Sequence, residues 1–75
     1  MSGIVEERGR YYGDPRPNME RTAALWSAYL GTSVTAHDAA MMMTLVKVSR
    51  SKVDPSYVDN YVDAVGYLEI ARTLG

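Results

Sequence analysis

The chain has 75 residues, 47% of them hydrophobic and 23% charged, with no cysteine and a formal net charge of -1. That balance reads as folded rather than disordered. It leaves no disulfide framework or Cys-rich zinc site, and it argues against broad capture of nucleic acid, which needs a basic surface.

A single small helical domain spanning residues 1–75 is expected, with a core modest enough that association of copies is the usual remedy. No apolar run approaches the ~18 residues of a membrane span. The opening MSGIVEERGR carries acids where a secretory signal needs cations. The expected location is cytoplasmic, with no membrane partner.

Ser2 can cap a short helix through Ile4, Val5, Glu6, Glu7 and Arg8, with Gly9 as its stop. Tyr11 to Asn18, YYGDPRPN, cannot sustain a helix. It reads as an ordered loop in which at least one tyrosine ring packs on the core or over a ligand. Asn18 then caps a second helix, with Glu20 in its first turn and Gly31 closing it. Met19, Ala23, Trp26 and Leu30 recur at helical spacing, and Leu25 and Tyr29 widen the apolar face. Ala24 and Ala28 offer a small-residue face to a neighbouring helix, and Trp26 is the expected core anchor.

Thr35 opens the third helix, and Asp38 completes a capping-box pair with it. His37, the single histidine, has no partner histidine or cysteine for a metal and takes a surface or cap role. From Ala39 to Lys52 the apolar residues go almost all the way round the helix. A helix of that kind is covered on more than one side, here by a second copy of the chain. The Met41-Met42-Met43 run supplies adaptable core packing. The Asp54-Pro55 step then makes a turn, and a fourth helix runs from about Pro55 or Ser56 to about Thr73.

The fourth helix carries three apolar lines: Val58, Val62 and Val65; Tyr57, Tyr61, Ala64 and Leu68; and Ile70 with Leu74. The third line continues toward the N-terminus as Gly66, Asp63 and Asp59. The two carboxylates therefore extend an otherwise apolar stripe, where a charge is either paired or functional. Lys47 and Arg50, three apart near the end of the third helix, project from neighbouring positions. The turn brings the two pairs together as a composite site or a salt-bridge cluster. Gly66, in mid-helix, implies a close neighbour there, either a backbone or a ligand.

The fold class is therefore all-α: a compact bundle of three main helices plus a short N-terminal helix, completed by homo-oligomerisation.

Glu7-Arg8-Gly9, Tyr12-Gly13-Asp14, Asn18, Leu25-Trp26, Lys47, Arg50, Asp59, Asp63 and Gly66-Tyr67 together resemble a small phage-encoded family of uncharacterised proteins. The pattern ERG..YGD...N, LW, K..R, D...D..GY also resembles nucleotide-modification-associated domains and, more distantly, the MazG-like all-alpha nucleotide pyrophosphohydrolases. A phage origin implies the host cytoplasm. The hydrolase resemblance implies magnesium held by two helices of clustered acids, an EExxE-like set and an ExxD-like set. Asp59 and Asp63 could serve as the second set. On the helix that should carry the first, only Glu20 stands, so the full acid set is incomplete.

Three functions follow as expectations. One is binding, with possible sequestration, of a phosphorylated nucleotide or nucleotide-derived signal. Lys47 and Arg50 would meet phosphates, Tyr12 or Tyr67 would stack a base, and Asp14, Asn18 or Asp63 would read polar edges. Another is magnesium-dependent nucleoside triphosphate pyrophosphohydrolysis, with the metal on Asp59 and Asp63. The third is a ligand-free oligomeric interaction protein whose polar cluster fixes helix register.

Overall fold

The computed structural model describes residues 14–75, and every regular element among them is helical: α1 (Arg16–Leu30), α2 (Ala36–Val53) and α3 (Val58–Leu74). The expected opening helix at Ser2 to Gly9, and Tyr11 and Tyr12, lie outside the described residues. No helix among them is long and apolar enough to cross a membrane.

Helix α1 begins earlier than its prolines suggest. Pro15 occupies the N-cap and Pro17 sits in the first turn, where the missing N–H would have had no intrahelical partner. The Asp14 carboxylate accepts the Arg16 N–H at 3.0 Å. Asn18, expected as the cap, is therefore an exposed residue inside the helix, and no acid stands in its first turn. Gly31 ends α1 with φ 70°, its N–H donating to the Ser27 carbonyl at 2.9 Å; glycine takes that left-handed conformation without a Cβ penalty. The Ser27 hydroxyl donates to Ala23 O at 2.7 Å and accepts the Val34 N–H at 2.8 Å, so one side chain ties α1 to the strap that leads into α2.

The capping box at the start of α2 forms as the sequence predicts. Thr35 Oγ1 accepts the Asp38 N–H and an Asp38 carboxylate oxygen accepts the Thr35 N–H, both at 3.0 Å. His37 does more than decorate the surface: its Nδ1 lies 2.9 Å from Ala71 O, tying the first turn of α2 to the last turns of α3. At the other end, Asp54 to Tyr57 form the predicted turn. The Tyr57 N–H donates to Asp54 O at 3.2 Å, and the Tyr61 hydroxyl reaches back to Pro55 O at 2.9 Å. Helix α3 accordingly starts at Val58, a little later than expected.

Helices α2 and α3 pack as an antiparallel hairpin through small residues. Ala39 and Ala40 are wholly buried, Ala71 is 1% exposed, and Met19 and Ala23 of α1 close the cluster. Small side chains let two helix axes approach closely, which leaves the long side chains at the flanks. Several expectations change for this reason. The buried residues of α3 are Asn60 and Ala71, with Val62, Ala64 and Tyr67 half-buried, while Val58, Val65 and Leu68 of the expected apolar lines are exposed. Ala24 and Ala28 face solvent, as do Leu25, Tyr29 and Leu30. Trp26 is half-buried against the core rather than its centre. Met41 is exposed and Met42 and Met43 are half-buried.

At 100° per residue, the exposed Met41, Leu45 and Val48 of α2 and Tyr61, Val65 and Leu68 of α3 fall on one flank of the hairpin. Helix α1, with Ile70 and Leu74 beside it, occupies the other.

Candidate functional site

The crevice between α2 and α3 is apolar along one half and polar along the other. Positions 36, 40, 44, 47 and 51 of α2 point toward α3, because each step of three or four residues returns to the same face. On that face the sequence changes from Ala36 and Ala40 to Thr44, Lys47 and Ser51. Along α3 the opposing stripe changes in the reverse sense, from Ala71 back to Asn60. Because the helices are antiparallel, the two polar segments meet at the end nearest the Pro55 turn.

Lys47 Nζ lies 3.2 Å from Asp63 Oδ2, with side chains only 15% and 27% exposed. The two charges are taken mostly out of water and compensate each other, as such groups must. Thr44 is buried and donates its hydroxyl to Ala40 O at 3.0 Å. Ser51 is half-buried and donates to Val48 O at 2.6 Å. Both hydroxyl protons thus return to their own helix.

Asp59 is half-buried one turn before Asp63. Its carboxylate pushes the exposed Tyr57 phenol up from its usual range, first by hydrogen bonding and then by its charge, with smaller contributions from burial and from Asp63 and Asp54. Arg50 is exposed, one turn beyond Lys47, and makes no salt bridge among the described residues. The line of Asp59 and Asp63 passes through Gly66, where an added Cβ would meet nothing within 4 Å. The close neighbour expected there is absent among the described residues, and that stretch of α3 is open.

The expected site residues therefore separate. Lys47 and Asp63 come together directly, and Asp59 and Arg50 flank them on adjacent turns. Tyr67 packs against the core cluster, half-buried, and serves the fold. Asp14 belongs to the opposite end of α3, where it lines an open cavity of about 430 Å³ with Pro15, Arg16, Glu69, Ile70 and Thr73. Arg16 donates there to Thr73 O at 3.2 Å. Asn18 is exposed on α1, and Tyr12 lies outside the described residues. Among the described residues no three His, Cys, Asp or Glu side chains gather as a metal cluster. Two residues of the polar seam, Thr44 and Asn60, were not singled out from sequence. Their signal was a pair of small polar residues in register with Ala36 and Ala40 on α2 and with Ala64 and Ala71 on α3.

Comparison with known proteins places this arrangement in context. The model of a family described as Domain of unknown function (DUF6378) matches residues 2–75. The chain is 42% identical over 72 residues to the Gene 55 protein of Mycobacterium phage L5, covering 95% of this chain and 46% of that protein. It is 38% identical over 64 residues to the Gene 55 protein of Mycobacterium phage D29, covering 85% of this chain and 42% of that one. The chain thus spans less than half the length of these relatives. No solved structure matches. Lys47, Asp63 and the seam around them lie within the matched span, and the all-α chain belongs to the phage protein family of the DUF6378 domain.

Proposed function

We propose that the protein binds a phosphorylated nucleotide or nucleotide-derived signal at the polar end of the α2–α3 crevice, and sequesters it. One observation carries this reading: a lysine and an aspartate, mostly withdrawn from water, are paired at 3.2 Å in a crevice whose other end is lined by alanine. Fold stability alone would be served as well by apolar residues, since a buried ion pair rarely exceeds a hydrophobic replacement. Arg50 adds a second cation on the neighbouring turn, and the open surface at Gly66 leaves room for a ligand beside Asp63. Phosphate oxygens would compete with Asp63 for Lys47 and recruit Arg50, whose planar guanidinium suits bidentate contact.

Binding fits these residues better than hydrolysis. Asp59 and Asp63 supply two carboxylates, enough to hold one magnesium ion together with substrate phosphate oxygens. A MazG-like pyrophosphohydrolase site needs a further acid set on a facing helix, and Glu20, the α1 acid that could begin one, is exposed.

A thermal-shift and calorimetric panel of nucleoside triphosphates and cyclic oligonucleotides, with and without magnesium, tests the reading. A ligand at ~100 times its Kd should stabilise the protein by about 2.7 kcal/mol. Lys47→Ala should weaken binding more than it weakens the fold. A flat panel would remove the proposal, and release of pyrophosphate with magnesium would replace it by the hydrolase reading.

A second reading rests on a different observation, the exposed flank of Met41, Leu45, Val48, Tyr61, Val65 and Leu68. Pairing about a two-fold axis would set this face against its own copy and cover it. It supports a homo-oligomer whose charged seam sets helix register.

A further inference from the structure

The seam holds a polar group that neither ion pairing nor folding employs. Asn60 is 6% exposed, yet its side-chain amide makes no hydrogen bond among the described residues. Leaving a buried amide unpaired is unfavourable, and most such groups find a partner. No fully shielded side-chain nitrogen or oxygen lacks a partner among the described residues, so the amide must hold the small exposure that Asn60 retains. The Thr44 and Ser51 hydroxyls donate to their own helix, and Lys47 is engaged by Asp63. Asn60 precedes Asp63 by three residues, which makes the two side chains surface neighbours on α3.

We infer that Asn60 is the specificity-determining residue of the site, its amide reading the hydrogen-bonding edge of a nucleobase whose phosphates lie toward Lys47 and Arg50. The inference deepens the nucleotide-binding reading and rests on it. An amide suits the task because it presents an acceptor and donors side by side, matching the mixed donor and acceptor edge of a base. Neither the lysine nor the carboxylate offers both. Asn60 keeps only 6% of its surface in water, so a base that leaves the amide unpaired is rejected more strongly than one differing only in bulk.

Titration calorimetry of the full chain with the nucleoside triphosphates and with inorganic triphosphate tests this, using Asn60→Leu and, in case leucine disturbs the hairpin, Asn60→Ser. The wild-type protein should rank the bases. Both variants should flatten that ranking by about tenfold or more while holding inorganic triphosphate as tightly as before. A variant that melts normally and keeps the wild-type ranking overturns the role of Asn60 and leaves phosphate binding standing. Equal wild-type affinity for inorganic triphosphate and every nucleotide does the same. Wild-type protein that binds none of these probes overturns the nucleotide-binding reading itself, and the role of Asn60 with it.

Discussion

Lys47 Nζ and Asp63 Oδ2 face each other at 3.2 Å across the α2–α3 crevice, joining the penultimate turns of one helix to the second turn of the next. Removing one partner strands the other in a partly dry crevice. Lys47→Ala or Asp63→Ala should lower stability by about 1–3 kcal/mol, less than a fully buried pair because both side chains keep some water. The double replacement Lys47→Met with Asp63→Leu should return most of that loss, since well-packed apolar residues often match a buried ion pair. Urea melts of wild type, Lys47→Met, Asp63→Leu and the double replacement form the cycle; additive losses would show that the pair is not coupled.

The capping box gives a pH signature. Hydrogen bonds from the Thr35 backbone and, next, its side chain hold the Asp38 carboxyl below its ordinary 3.8, with a smaller contribution from the His37 charge. A depressed folded-state value means the contribution is complete above the unfolded-state value and is lost as pH falls through the folded one. Asp38→Asn should therefore melt below the wild type near neutrality. The gap should close as the pH drops below 3.8. A gap that stays constant down to about pH 2 would mean the carboxylate adds nothing to the cap.

Close packing at Ala40 leaves no space for a larger side chain, since the residue is wholly buried between helices. Ala40→Leu should cost about 1–3 kcal/mol by overpacking. In a domain this small, each kcal/mol corresponds to roughly 4–8 °C in Tm. Leu45→Ala on the exposed flank changes the side-chain volume by the same amount but should shift the melting point of the isolated chain far less.

Gly66 separates fold from function. With nothing within 4 Å of an added Cβ, Gly66→Ala should stabilise α3 by about 0.5–1 kcal/mol through helix propensity alone. If a ligand passes over that turn beside Asp63, the same methyl should weaken nucleotide binding. A variant that is more stable and binds as well as before would place the ligand elsewhere.

The apolar flank predicts association. Leu45 is 63% and Val65 is 66% exposed, so Leu45→Lys with Val65→Lys should leave helicity intact while light scattering reports a fall to monomer. Wild-type protein that is already monomeric at high concentration would end the oligomer reading.

Features set by near neighbours in the chain were legible before any coordinates. The Thr35–Asp38 cap, the Asp54-Pro55 turn and the meeting of Lys47 with Asp63 follow from spacing, sign and one reversal of direction. What hydrophobicity could not show was which residues lie between the helices. The close α2–α3 contact selects alanine, and it draws Asn60 into the stripe while Val58, Val65 and Leu68 stay outside. Reading large apolar residues as core therefore misplaced Leu25, Tyr29 and Met41. The start of α1 was missed for a narrower reason: Pro17 looked like a breaker, but in a first turn its absent N–H has no consequence. Asp14 and Asn18 were grouped with the distant charges by motif, and only the path of α1 separates them.

The hairpin is fastened at both extremities. His37 hooks onto Ala71 O where the helices begin and end, and the Pro55 corner, braced by the Tyr61 hydroxyl, joins them at the other. A guest arriving in the polar seam would meet walls whose freedom was surrendered during folding, so little disorder remains to be lost on docking. Rigid jaws of this kind favour guests that already fit, and a His37→Ala chain should grip the same guest more loosely although the mutated residue never touches it.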